Sequence, residues 1–218
     1  MLVLLPPSEG KTAPRRGRPV DLAALSHPEL TAAREAVLRA LPDRDALLRA
    51  PAARASAIYT GILFGRLELA GLPLRARRRV LIFSGLWGVL SPDDRVPAYK
   101  LPIETKLPGI GGLAAHWRAP LRDALADEGL IVDLRSGAYA AARRPRRADV
   151  VAVRAFVERD GIRTPVSHMV KATRGDVARI VLRASPPPRT PEAVAELVAA
   201  AGHEVERSPG ALDVIERA

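Results

Sequence analysis

The chain has 218 residues, 48% apolar and 27% charged, which suits a globular protein folded as one domain over 1–218 and argues against disorder over most of its length. It has no cysteine, which excludes disulfides, thiolate metal sites and a cysteine nucleophile and fits a reducing cytoplasm. A formal net charge of +10 and a pI near 11.0 predict attraction to polyanions, nucleic acid foremost, although Arg also falls at ordinary helix positions such as Arg34, Arg39 and Arg122.

In chain order, residues 1–5 read as a short buried strand, because the apolar run ends at Pro6 and cannot continue as a helix. That run lacks a basic lead-in and is too short for a signal peptide. No later apolar stretch approaches the roughly 20 residues that spanning a membrane requires. Residues 12–20 form a basic loop. A helix is expected from Pro28 to Ala40 with Ser26 as its cap, and shorter helices at 43–50 and 53–70. Val80–Phe83 is a second strand, which enters a Pro- and Gly-rich stretch reaching Gly112. Residues 113–127 are expected to be helical with an interruption near Pro120, and 129–134 a strand. Val150–Val157 and Thr164–Val170 read as an antiparallel pair across the Asp160-Gly161 turn, with a helix from Lys171 to Leu182. A helix from Pro191 to Ala201 and a hairpin around Ser-Pro-Gly complete the chain. Strands and helices mix without regular alternation, which predicts an α+β fold, a mixed sheet surrounded by helices, over a doubly wound sheet.

Thirty of the 34 basic residues are Arg; the four lysines are Lys11, Lys100, Lys106 and Lys171. An ammonium can lose its proton and a guanidinium effectively cannot, so a lysine kept in an Arg-rich chain is a candidate for work that needs lysine. Ser8, Glu9, Gly10 and Lys11 follow the first strand directly, where sheets commonly present ligand-contacting residues. The GxxxxGK spacing of a phosphate-binding loop is missing, which disfavours a nucleotide triphosphatase. Lys171 and Arg174 are expected on the first turn of a helix, where free backbone N–H groups bind anions. His168 is a candidate donor or base. Tyr59, Tyr99 and Tyr139 either stack on bases or pack.

Two glycine turns, FSGLWGVL at 83–90 and LPGIGGLAAHW at 107–117, are similar to the phosphate-binding turn of a helix-hairpin-helix element. The four histidines, at 27, 116, 168 and 203, show no ligand spacing, so no metal site is expected, and no cofactor either.

The segments LLPPSEGKT (4–12), YTGI (59–62), SGLWGVLSPDD (84–94), YKLPIETKLPG (99–109) and SHMVKATRG (167–175) together resemble the YaaA peroxide-stress family. The resemblance implies a mixed α/β fold particular to that family, with a basic cleft and a helix-hairpin-helix element that binds DNA. It also implies a role in protection from hydrogen peroxide, linked to DNA repair and to limiting free iron. By this resemblance Ser8, Glu9, Lys11, Tyr59, Ser84, Gly85, Tyr99, Lys100, Ser136, Tyr139, Lys171 and Arg174 are cleft residues, and Lys106 falls in one of the matching segments.

Two functions compete. One is a non-catalytic DNA-binding protein held by phosphate contacts. The other is an enzyme acting on a nucleotide or damaged base, glycosylase- or lyase-like, with a cleft lysine, Lys11 or Lys171, as nucleophile and Glu9 or His168 moving protons.

Overall fold

The computed structural model describes residues 1–146, 149–165 and 167–217, excepting the side chain of Ser167. The first strand, β1 (Leu2–Leu5), leads into an irregular, basic segment and then a 3₁₀ turn at Pro28–Leu30 and α1 (Thr31–Arg39). There follow α2 (Arg44–Arg49), β2 (Ala53–Arg54), α3 (Ala55–Ile58), α4 (Ile62–Leu67) and α5 (Leu74–Arg77). Next come β3 (Val80–Ser84), β4 (Gly88–Leu90), β5 (Arg95–Val96), β6 (Lys106–Leu107) and β7 (Gly111–Gly112). The chain continues through α6 (Leu113–His116), α7 (Arg118–Ala124), β8 (Leu130–Asp133), α8 (Gly137–Ala140), β9 (Asp149–Arg159) and β10 (Ile162–Thr164). It ends with α9 (Ser167–Arg183), α10 (Pro191–Ala200), β11 (Glu204–Ser208) and β12 (Ala211–Arg217).

The main sheet has the order β11-β12-β9-β8-β1-β3-β4, with β10 also paired to β9. It is mixed and flanked by helices, as the pattern of the sequence predicts. Its five inner strands, β12, β9, β8, β1 and β3, nevertheless run parallel. The sequences explain the layering: VLIFS and LIVD are buried at every position, as parallel strands covered on both faces must be, whereas β9 alternates buried and accessible residues. One apolar cluster runs from β1, β3 and β8 through Trp87 and Trp117 to α9 and α10.

Several expectations need correction. The 53–70 helix is broken by two interruptions: residues 53–54 pair with β5, and Tyr59 bridges to Lys11 before α4 begins. Ser26 does not cap a helix; its N–H and hydroxyl both bind Asp94 Oδ1, at 2.9 and 2.8 Å. Arg34 is no surface arginine but fully buried, its guanidinium donating to the carbonyls of Ser26, His27, Trp87 and Val89. The break in the 113–127 helix falls at Trp117, and Pro120 sits in the first turn of α7, where a missing N–H costs nothing. The strand expected at 164–170 ends at Thr164; Val166 lies outside the described residues, and α9 already runs from Ser167. Lys171 therefore stands one turn inside α9 rather than opening it.

Both glycine turns join strands, not helices. Residues 83–90 form the β3–β4 hairpin, and 107–112 the turn between β6 and β7. A β-hairpin uses its N–H groups in a ladder, and the helix-hairpin-helix expected at either place is not what the chain forms there.

Candidate functional site

The connection leaving β1 runs towards β3, and the one leaving β8 runs towards β9 on the opposite side. The crevice beyond the carboxyl ends of β1 and β8 is thus a topological switch point, the place where open parallel sheets hold ligands. Into it come Ser8, Glu9 and Lys11 from the β1 loop, and Asp133, Arg135, Ser136 and Tyr139 from the β8 loop.

Ser8 is buried and its hydroxyl accepts the N–H of Gly61 at 2.7 Å. A Cβ on residue 61 would lie 2.3 Å from Ser8 Oγ, so only glycine lets the two loops meet this closely. Lys11 bridges to Tyr59 and folds back so that its Nζ donates to the Ser8 carbonyl at 2.5 Å. The same nitrogen lies 4.5 Å from the ring centroid of Tyr99 and 5.4 Å from that of Tyr59. Burial here lowers the Lys11 pKa to about 8, with Glu9 pulling weakly the other way.

Ser84, Tyr99 and Tyr59 form a hydroxyl chain, with 2.6 Å between Ser84 and Tyr99 and 2.7 Å between Tyr99 and Tyr59. The direction at its Ser84 end follows from counting lone pairs. Ser84 Oγ already accepts the N–H groups of Leu86 and Trp87, so its proton goes to Tyr99. Between Tyr99 and Tyr59 either hydroxyl can donate, and whichever does, the proton of the other is left over. Burial raises the pKa of all three tyrosines, that of Tyr99 to about 12, so they stay neutral donors. Tyr139 belongs to the same neighbourhood, since Tyr99, Glu104 and Glu9 all add to its shift.

At the mouth, Lys171 Nζ lies 3.5 Å from Glu9 Oε1, an exposed pair. Arg174, one turn on, is half-buried and makes, among the described residues, a single long bond, from Nε to the Val153 carbonyl at 3.4 Å. Desolvation lowers its pKa, and nearby Asp133 opposes this. Asp133 is itself held by Arg135 in a buried two-pronged pair, at 2.7 and 2.9 Å, with the Arg135 guanidinium 4.2 Å from the Phe83 ring centroid.

The structure therefore gathers Ser8, Glu9, Lys11, Tyr59, Ser84, Tyr99, Tyr139, Lys171 and Arg174 around one crevice. Ser136 precedes α8 on its rim without capping it. Gly85 serves packing: a Cβ there would lie 2.4 Å from the Leu101 carbonyl, and its own carbonyl accepts the Trp117 indole N–H at 2.9 Å. Lys100 is exposed and lines, with Tyr99, a separate concavity of about 360 Å³ against α2. Lys106 is exposed on β6, and His168 is exposed on the first turn of α9.

Sequence reasoning missed Asp133 and Arg135. A carboxylate closing an apolar strand, with Arg two residues on, was the available signal. A larger concavity of about 430 Å³ lies between the start of β9 and the β11–β12 hairpin, but its one cation, Arg207, is already paired with Glu192. Among the described residues no cluster of His, Asp and Glu could hold a metal, and no helix is long and apolar enough to cross a membrane.

Comparison with known proteins agrees with the motifs on which the crevice is built. The profile described as peroxide stress protein YaaA matches residues 21–208. The chain belongs to the YaaA peroxide stress family. A UPF0246 protein of Streptomyces coelicolor is 42% identical, over 99% of this chain and 98% of that one. UPF0246 proteins of Corynebacterium efficiens and Corynebacterium glutamicum are 39% and 37% identical, each over 96% of both chains. The YaaA profile begins after Lys11, yet the Streptomyces alignment takes in the segment that carries it.

Proposed function

We propose that this YaaA-family protein binds DNA through the loops beyond the carboxyl ends of β1 and β3, as its part in the peroxide stress response. The reading rests on the uneven pairing of its charges. On the outer half of the sheet Arg154, Arg163, Arg207 and Arg217 are each matched by a carboxylate, on Asp213, Glu158 with Glu206, Glu192 and Glu204 respectively. Such pairs add little field. By contrast Arg15, Arg16 and Arg18 follow Lys11 on an exposed loop, Lys100 follows Tyr99, and Lys106 lies on β6; none has an ion-pair partner among the described residues. These five cations put part of the +10 surplus on exposed surface where the chain can meet a polyanion.

Each phosphate neutralised by such a cation releases a counterion, so affinity should fall linearly on a log–log plot against salt. The test is equilibrium binding of duplex and branched DNA between about 50 and about 200 mM salt. Replacing Arg15, Arg16 and Arg18 together by Ala should reduce the slope by roughly 2–3, at about 0.9 per phosphate contact. Binding indifferent to salt, or an unchanged slope in the triple variant, would overturn the reading. A preference for branched over plain duplex would tie it to repair.

A further inference from the structure

We propose that the crevice between β1 and β8 is a covalent site, in which Lys11 Nζ condenses with an aldehyde that carries a neighbouring phosphate. Three features of the site, from different elements, meet in this reading.

The first is the lysine's company. An ammonium has three protons to donate, and here one meets the Ser8 carbonyl while two aromatic rings occupy the rest of the surroundings. Lys11 makes no ion pair among the described residues; Glu9, the carboxylate that influences it, is turned to Lys171. A structural lysine would be matched by a carboxylate. Burial without an adjoining carboxylate favours the neutral, nucleophilic amine, in line with the lowered pKa, and outweighs the hold of the Ser8 carbonyl and the two ring faces on the ammonium.

The second is the hydroxyl chain. Ser84, itself fixed by two backbone N–H groups, donates to Tyr99, which is bonded to Tyr59. Tyr59 is only 2% exposed, and one proton serves its bond to Tyr99, which leaves the second phenolic proton of the pair without an acceptor among the described residues. A buried donor without an acceptor is costly unless a ligand supplies one. A carbonyl oxygen that gains charge as an amine attacks its carbon is such an acceptor.

The third is the anion end. Among the described residues Arg174 uses only its Nε, in one long bond, which leaves both Nη groups beside Lys171 on the same face of α9. A guanidinium fork next to an ammonium suits a phosphate. Amine, phenol and guanidinium together specify an electrophilic carbon near a phosphate.

The step balances without any further reactant. The amine lone pair forms the C–N bond, the C=O π pair moves to oxygen, and that oxygen is protonated with help from Tyr59. The carbinolamine then loses water to leave an imine on Lys11. Free sugar phosphates offer this chemistry, and so does the ring-opened sugar of a base-less nucleotide in DNA. Only the second source rests on the DNA-binding reading.

The test is borohydride trapping of the full chain at pH 8, with glyceraldehyde 3-phosphate in one arm and a duplex holding a single abasic site in the other, the adduct located by peptide mass mapping. At that pH Lys11 should hold on the order of a hundredfold more free amine than an ordinary lysine. One equivalent of adduct on Lys11 is expected, lost in Lys11→Arg and slowed about a hundredfold in Tyr59→Phe. Glyceraldehyde without phosphate should react about tenfold more slowly, a loss typical of one missing charge-assisted contact. Labelling by the small aldehyde alone would establish the site with a free sugar phosphate as its source. Labelling by both would assign it to DNA as well. Adducts spread over all four lysines and the α-amine, or none in either arm, would overturn the proposal whatever the salt dependence of DNA binding. The map of the unaltered chain decides this even if Lys11→Arg fails to fold.

Discussion

Tyr59 and Tyr99 share a hydrogen bond of 2.7 Å across forty residues of sequence, and Ser84 feeds Tyr99 from its other side. Tyr99 is the middle member, accepting from Ser84 and bonded to Tyr59. Tyr99→Phe should therefore orphan the buried Ser84 hydroxyl and loosen Tyr59, at a cost of about 1–3 kcal/mol. Tyr59→Phe removes only the last member and should cost less. Denaturant unfolding of the two variants and of the double variant checks the order, and equal costs would refute the middle position assigned to Tyr99.

Lys11 should weaken the fold at neutral pH. With a folded pKa near 8 against an ordinary 10.5, it is charged in both states below about pH 8, and folding then carries the full desolvation cost. Between those two values the unfolded chain holds a proton that the folded chain has shed, so stability rises with pH. Lys11→Met should raise the melting temperature at pH 7 by roughly 2–4 °C. That advantage should shrink as pH climbs from 8 towards 10.5, as calorimetry across the range would record.

Two ion pairs of similar geometry should differ sharply when broken. Asp133 and Arg135 are buried, whereas Arg217 and Glu204 are exposed on the terminal hairpin. Asp133→Asn leaves a buried guanidinium without its counter-charge, which costs about 3–5 kcal/mol. Glu204→Gln should cost at most about 1 kcal/mol, since solvent screens the exposed pair. Similar losses measured by chemical denaturation would contradict the burial argument.

What the sequence revealed follows from how local each signal is. The apolar runs LVLL, VLIFS and LIVD could be read as strands because burial on both faces leaves no alternation to confuse with a helix. The terminal hairpin and α10 carried their own turn and cap residues. The four lysines, rare in an Arg-rich chain, pointed at the β1 loop and at α9, and Lys11 and Lys171 do flank Glu9. Lys100 and Lys106, named by their rarity and by the family motif, stand outside the crevice, at the concavity against α2 and on β6. The failures are tertiary. Arg34 looks like any helical arginine until four carbonyls from two distant loops close on it. Glycine turns look alike whether strands or helices flank them, so both were misplaced. The Asp-x-Arg that closes β8 is a faint local mark for Asp133 and Arg135, and its meaning comes from the Phe83 ring and Arg174, which β3 and α9 bring in from afar.

Glu9 separates the acid–base role proposed for the crevice from the anion-binding role proposed for it. Its carboxylate raises the Lys11 pKa, the smaller of the two causes acting there, and pairs with Lys171 at 3.5 Å. Glu9→Gln keeps the shape and removes the charge. Lys11 should then titrate below about 8, so amine labelling should reach half its maximum at a lower pH than in the unaltered chain. Lys171, released from its carboxylate, becomes a free cation at the mouth, so affinity for DNA should rise and the salt slope should steepen by up to about 1. The two readouts are a pH profile of labelling and a salt titration of binding. A shift of the profile to higher pH would show that the carboxylate acts on Lys11 otherwise than through charge, since removing a nearby anion can only favour the neutral amine.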